Sequence, residues 1–457
     1  MKNKLNKIIV ITISTVSILF IILIITIKSI FVFKPSFYSY SSYVDEKTMN
    51  KINKNYTYKE YGTISEFEYA FGNNKAIAGI TSDYLIISLI KEGKISPISK
   101  KLIKMNDLKN PWESYFADTT VEQMKLFDQY IDQETQDMLN QKYKEYGGNY
   151  TFRFSDFVVP YFINDKVIAY DTTKILNKTH TNNNPLGFDK VPTLEETLNK
   201  IHQKSKDFKI QWTKNERENI VMGSTIDDPQ SNWDTTINQD NYLTWLDNFT
   251  QIVEKGTGAK ISDIKRNLFD ADSDIILNNL INPTSKIDVA YIYNGDALDA
   301  YFGNDNFKDI EDGDRLRIVR TKYTTRILDC FIVSSSISEN ETNKLLERFN
   351  TSLFNGMFWS EKQIEQENEE LKSKNQNIYE IDGILRIFDY VNYTPACKGA
   401  YEYIYNNYFE DDEIAKEIYE VAENDEKNGM FVKNIGPIDK EIVSQMALAF
   451  QKKLNGY

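Results

Sequence analysis

The hydropathy pattern opens with one long uncharged run and then changes character. Residues 8–27 (IIVITISTVSILFIILIITI) carry no charged side chain over twenty positions, and a helix of that length spans a hydrocarbon core of about 30 Å. Beyond residue 33, short apolar runs alternate with longer stretches of helical period. KAIAGITSDYLIISLIKEGKI (75–95) predicts a strand, a turn at Thr81–Ser82–Asp83 and a helix closing at Gly93, with Ser82 as N-cap. DFVVPYFINDKVIAYDTTKIL (156–176) predicts two extended runs broken at Asn164–Asp165. KIDVAYIYNGDALDAYF (286–302) predicts a strand, a turn at Asn294–Gly295–Asp296 and a helix start. TTRILDCFIVSSSISENETNKLLERF (324–349) predicts a strand followed by a capped helix. Residues 361–376 read as a charged surface helix and 228–241 as a surface loop. Strand–turn–helix units in this succession predict an α/β fold with largely parallel sheets, whose ligands bind at the carboxyl ends of strands.

Composition narrows the chemistry. A length of 457 residues corresponds to about three domains or two large ones. Two His (His180 and His202) and two Cys (Cys330 and Cys397) exclude a Cys/His zinc cluster, an iron–sulfur site and a disulfide scaffold. Neither His stands beside a nucleophile motif, and no GxxxxGK[ST] loop occurs, so neither a His-based triad nor a phosphate-loop ATPase is expected. Cys330 and Cys397 read either as two buried thiols or as a bridge if the fold brings them together. Residues 1–33 hold four Lys and no acid, which leaves −17 of the −13 net charge on residues 34–457. Such an acidic part repels nucleic acid and attracts cations, although solubility alone is a sufficient reason for acidity. Lys2, Lys4 and Lys7 precede the apolar run, and no small-x-small cleavage site or Cys follows it. A cleaved signal peptide is the competing reading. The pattern predicts an uncleaved single-pass anchor in the cell membrane, with an extracellular remainder.

Several of these turns carry a family pattern. FYSYSSYVDEKTMNKI (37–52), YKEYGTISEFEYAF (58–71), TSDYLIISLIKEGKISPI (81–98), ETQDMLNQ (134–141) with VVPYFINDKVIAYD (158–171), TKNERENIV (213–221), VAYIYNGDA (289–297), RILDCFIV (326–333) and VNYTPACKGA (391–400) follow one another along the chain. In that order they resemble the spermidine/putrescine-binding proteins of ABC importers, whose corresponding segments include YNWxEY, PYxWGxxxIxxN, TDDxREVF, WNGSA, WxDxxxIP and GYPTPNxxA. The resemblance implies a two-lobed, periplasmic-binding-protein-like clamp of type II. It places residues 34–164 with 328–390 in one lobe and 165–327 with 391–457 in the other, with crossings near Asn164 and Leu328. It also implies a polyamine or related organic cation as ligand, permease and ATPase subunits as partners, and no enzymatic activity, cofactor, metal or nucleic acid.

Carried over by motif, the ligand-binding residues are Tyr40, Ser41, Ser42, Tyr43, Ser82, Tyr84, Asn215, Glu218, Tyr293, Asp329 and Tyr393. Carboxylates would meet the ligand's amines, and aromatic faces its methylenes and charge. The departures are specific. Tyr40 and Tyr293 replace Trp, Ile327 replaces a third Trp, Ser42 replaces an acid, and Asn215 replaces a ligand-contacting Asp. Asp165 and Asp296 stand where they could restore negative charge. By default the tyrosines would fill a core and Asp329 would cap a turn. The substituted acids keep open another organic cation, such as thiamine, or an amine-bearing peptide. A surface enzyme or adhesin that uses the clamp as a scaffold also stays open.

Overall fold

The computed structural model describes residues 12–13, 15–22, 34–180, 182–227, 233–303, 313, 315–381 and 383–457. Of the uncharged run, residues 8–11, 14 and 23–27 lie outside the described residues. Among the described residues no helix is long and apolar enough to cross a membrane.

Among the described residues ten strands form one connected sheet: β1 (Ser36–Tyr40), β2 (Thr57–Tyr61), β3 (Ala76–Ser82), β4 (Val159–Asp171), β5 (Ile210–Thr213), β6 (Asn267–Asp270), β7 (Val289–Tyr293), β8 (Leu316–Val319), β9 (Tyr323–Val333) and β10 (Phe431–Lys433). The hydrogen-bonded path runs β2-β1-β3-β9-β4-β7-β5-β6, with β8 beside β4 and β10 beside β9. The pairs β1–β2, β1–β3, β5–β6 and β5–β7 are parallel. The middle pairs β3–β9, β4–β9 and β4–β7 are antiparallel. The largely parallel sheet expected from the sequence is therefore mixed: its outer parts are parallel, and the two long strands through its centre run antiparallel to each other and to β3 and β7, with only the short β10 parallel to β9.

β4 and β9 are buried along their whole lengths, so neither shows the alternation of a half-exposed strand. The break expected at Asn164–Asp165 does not occur, and β4 runs straight through both residues. Its charged centre is tolerated because Asp165 and Lys166 find oppositely charged partners in Arg320 and Glu218, while Asn164 Oδ1 is buried without a hydrogen-bond partner among the described residues. Asp165 accepts a hydrogen bond from Arg320 Nε at 2.8 Å, and its backbone N–H donates to Asn294 Oδ1 at 3.0 Å.

Two buried apolar clusters flank this central pair of strands. In one, Phe37 packs against Phe331 and Phe349 with ring centroids 6.0 and 4.9 Å apart. In the other, Trp212 packs against Phe249 and Phe269 at 5.7 and 5.9 Å. There the helices Glu216–Gly223 and Tyr242–Thr257 touch backbone to backbone: a Cβ on Gly223 would lie 1.7 Å from the Trp245 carbonyl oxygen. That contact fixes the helix that carries Glu218.

Other local expectations meet mixed outcomes. The helix after β3 spans Asp83–Lys91, and Gly93 adopts the left-handed conformation (φ +64°). The helix after β9, Glu339–Asn350, opens with a Ser338–Glu341 capping box. Asn294–Gly295–Asp296 are not a separate turn but the first turn of the helix Asn294–Tyr301. The surface helix is present at Glu361–Lys372. The 228–241 segment is only partly a surface loop: residues 228–232 lie outside the described residues, and Trp233 is fully buried, its Nε1 donating to Ser224 Oγ at 2.8 Å. Cys330 and Cys397 are two separate buried thiols.

A buried cluster of carboxylates, tyrosines and two cations

Tyr40, Ser82, Thr213 and Tyr293 are the last residues of β1, β3, β5 and β7, so four carboxyl-terminal strand ends converge. Asp329 joins them from the middle of β9, in register with Ser82. Ser82 occupies the N-cap position of the next helix, yet its side chain makes no capping hydrogen bond. Instead Ser82 Oγ donates to Asp329 Oδ1 at 2.6 Å and shares a 2.8 Å hydrogen bond with the Tyr40 hydroxyl. The Tyr43 hydroxyl donates to Asp329 Oδ2 at 2.5 Å. Among the described residues no Lys or Arg lies within ion-pair distance of Asp329. Burial is the main cause that pushes the Asp329 carboxyl up to about 6, against the two hydrogen bonds that pull it down.

Glu218 forms a second corner. Asn215 caps the helix Glu216–Gly223 by accepting from Glu218 N–H at 3.3 Å, and its Nδ2 donates to Glu218 Oε1 at 2.7 Å. The Tyr293 hydroxyl donates to the same oxygen. Lys166, from β4, places Nζ 3.0 Å from Glu218 Oε2 and 3.5 Å from the centre of the Tyr293 ring. The side chains of Lys166 and Glu218 are each 1 % exposed.

Asp296 forms the third corner, with the Tyr393 hydroxyl donating to it and burial raising its carboxyl to about 6. Any side chain at Gly295 would collide with the Tyr393 ring: a Cβ there lies 2.1 Å from Cδ1. Tyr43 meets Tyr393 edge to face at 5.3 Å and so links the Asp329 and Asp296 corners. The Arg217 guanidinium stacks 4.1 Å over the Tyr84 ring, and its Nη1 is buried with no hydrogen-bond partner among the described residues.

Tyr40, Tyr43, Ser82, Tyr84, Asn215, Glu218, Tyr293, Asp329 and Tyr393 thus come together. Ser41 and Ser42 do not join them: both are exposed, and Ser42 Oγ donates to Asp274 Oδ2 at 2.9 Å. Asp296 enters the cluster. Asp165 is spent on Arg320 and supplies no free charge. Reading the motifs left out Lys166 and Asp83, the latter of which holds the N–H of Leu328 at 3.0 Å and Gln123 Nε2 at 2.8 Å, whereas Arg217 falls with Glu218 on the RE of the TDDxREVF motif. Lys166 left one signal in the sequence, a lysine inside the apolar run VVPYFINDKVIAY, where a buried charge requires a partner.

The family described as "Hypothetical lipoprotein (MG045 family)" matches residues 1–428. The chain belongs to the MG045 lipoprotein family. No curated protein matches this member. Solved structures similar to it include a candidate spermidine/putrescine ABC transporter from Listeria monocytogenes (TM-score 0.53, 14 % identity, 92 % of this chain and 98 % of that one). Another is the spermidine/putrescine substrate-binding protein PotD of Streptococcus pneumoniae (0.51, 13 %, 92 % and 98 %). A third is a Listeria monocytogenes substrate-binding protein in complex with cycloalternan (0.50, 12 %, 93 % and 94 %). The MG045-family chain therefore has the mixed α/β fold of ABC substrate-binding proteins. That fold serves a cyclic sugar as well as polyamine transporters, so it does not fix the ligand.

Proposed function

We propose that this chain is the extracellular, membrane-tethered substrate-binding subunit of an ABC importer, and that its ligand is an organic cation, with spermidine and putrescine the first candidates. The observation that carries this reading is Asp329, a buried carboxylate with two hydroxyl donors and no cation of its own among the described residues. A ligand ammonium is the charge-assisted partner such a group lacks. Tyr40 and Tyr43 supply aromatic surface beside it, and the −17 charge of residues 34–457 favours the approach of a cation.

In this reading residues 34–164 with 328–390 and residues 165–327 with 391–457 are the two lobes. β4 and β9 are the strands about which they part. Tyr43, Glu218 and Asp329 are almost fully buried, so a ligand reaches them only when the lobes separate. Residues 8–27 serve as the tether.

Calorimetry of the full-length protein in detergent, with spermidine, putrescine and an uncharged analogue of similar length, tests the ligand class. The cations bind and the uncharged analogue does not, with affinity falling as salt is raised. Equal affinity for spermidine and the uncharged analogue sinks the reading.

A further inference from the structure

One carboxylate corner of the cluster, and one aromatic face beside it, already hold a cation that belongs to the chain. Lys166 Nζ pairs with Glu218 at 3.0 Å and lies 3.5 Å over the Tyr293 ring, and the two charged side chains are almost completely withdrawn from water. This is the arrangement a ligand ammonium would need: a carboxylate on one side and an aromatic face on the other. The Arg217 guanidinium covers Tyr84 in the same manner. The Lys166 charge also acts on Asp296, whose own partners are the Tyr393 hydroxyl and the Tyr293 N–H. Among the described residues neither Asp296 nor Asp329 has a cation within ion-pair distance, but Asp329 differs in that its partners are the hydroxyls of Tyr43 and Ser82 and the Lys166 charge does not act on it.

We propose that Lys166 is a resident counter-cation that occupies the Glu218–Tyr293 corner and limits the cluster to one ammonium group of the ligand, seated at Asp329. The proposal rests on the amine-binding reading above and adds a specificity rule to it. A second ligand ammonium brought to Glu218 meets Lys166 at short range in a medium that screens it poorly, and two like charges there repel strongly. A diamine therefore gains nothing from its second charge while Lys166 is in place. Lys166 is fixed: it sits on β4 directly opposite Tyr293 in the antiparallel register, so its ammonium and the ring it covers are held by the same pair of strands.

The test uses butylamine and putrescine, which share a four-carbon chain and carry one and two ammonium groups. In the full-length wild type, putrescine binds no more than about twofold more tightly than butylamine, the statistical advantage of having two equivalent ends. In Lys166→Met the Glu218 corner is vacated, and putrescine gains about tenfold or more over butylamine, the scale of one close charge pair. Adding Glu218→Gln to Lys166→Met removes the vacated carboxylate and abolishes that gain.

Glu218 without Lys166 is a buried unpaired charge, so the single variant is also melted with and without putrescine. Stabilisation by putrescine beyond that by butylamine reports the opened seat by mass action. A wild type that prefers putrescine tenfold, or a Lys166→Met protein in which the two amines remain equal, overturns the role of Lys166 and leaves the amine-binding reading standing. Binding of neither amine by any of the proteins overturns both.

Discussion

Burial makes it costly to ionise Asp329, and the hydrogen bonds from Ser82 and Tyr43 offset only part of that cost, so its carboxyl rises to about 6. Two consequences follow from the same number. The ionised form is the one that pairs with an ammonium, so cation affinity falls as pH drops through about 6. In the ligand-free protein the sign is reversed. A raised native value means that the native state binds more protons than the unfolded chain between the ordinary carboxylate range and about 6. The stability this group contributes is present below that range and is lost as pH rises through about 6. Asp329→Asn is nearly isosteric and cannot ionise. It should weaken amine binding on the order of thirty-fold or more, from the loss of about 2–5 kcal/mol for one member of a desolvated pair. It should also melt higher than the ligand-free wild type at pH 8, by a margin that shrinks toward pH 5. Calorimetry and melting on the same samples decide: unchanged affinity makes Asp329 structural, and a melting difference constant from pH 5 to 8 removes the buried-carboxylate account.

At the scale of elements, β4 carries an unusual load. Its centre holds Asn164, Asp165 and Lys166 side by side, and each is buried. Asp165 is held by Arg320, which also donates from Nη1 to the Glu417 carbonyl at 2.6 Å and from Nη2 to the Ile418 carbonyl at 3.3 Å. One guanidinium thereby ties the middle of β4 to the last turn of the helix Glu413–Tyr419 and to the Glu420 carbonyl just beyond it. Arg320→Met should cost about 3–5 kcal/mol, because it leaves Asp165 buried and unpaired. Urea unfolding measures it. Replacing both residues, with Asp165→Leu added to Arg320→Met, should recover much of the loss, since two apolar groups need no partner. A single variant as stable as the wild type would show that Asp165 does not depend on Arg320.

The whole molecule joins its two apolar clusters through β4 and β9, which both contribute residues to the buried charged cluster. Outside the central strands, Ser42 reaches Asp274 across 232 positions of sequence in an exposed hydrogen bond. Such an exposed hydrogen bond contributes little by itself, as the proposed clamp motion would require. The tether belongs to this scale. If residues 8–27 anchor the chain with its amino terminus inside, protease added to intact cells should remove residues 34–457 and leave a short membrane-bound stub. A soluble mature protein that starts after residue 30 contradicts the anchor.

Much of the fold was legible in order. The apolar run 76–82, the helix that follows it and the Gly93 terminus lie where hydropathy and turn chemistry put them, because those features depend on near neighbours in sequence. The motif order brought out nine residues that do meet in space. Local pattern failed where a polar group's partner lies far along the chain. Asn164–Asp165 look like a turn until Arg320 and Asn294 are placed beside them, and Ser82 looks like a helix cap until Asp329, 247 positions away, takes its hydroxyl. The sequence by itself determined the element order, the acidic balance and the presence of tyrosines and carboxylates at strand ends. Which carboxylate already has a cation was decided only by tertiary structure. Lys166 neutralises Glu218 and, among the described residues, no cation pairs with Asp329, because charge compensation depends on which side chains share one buried volume, and spacing along the chain does not report that.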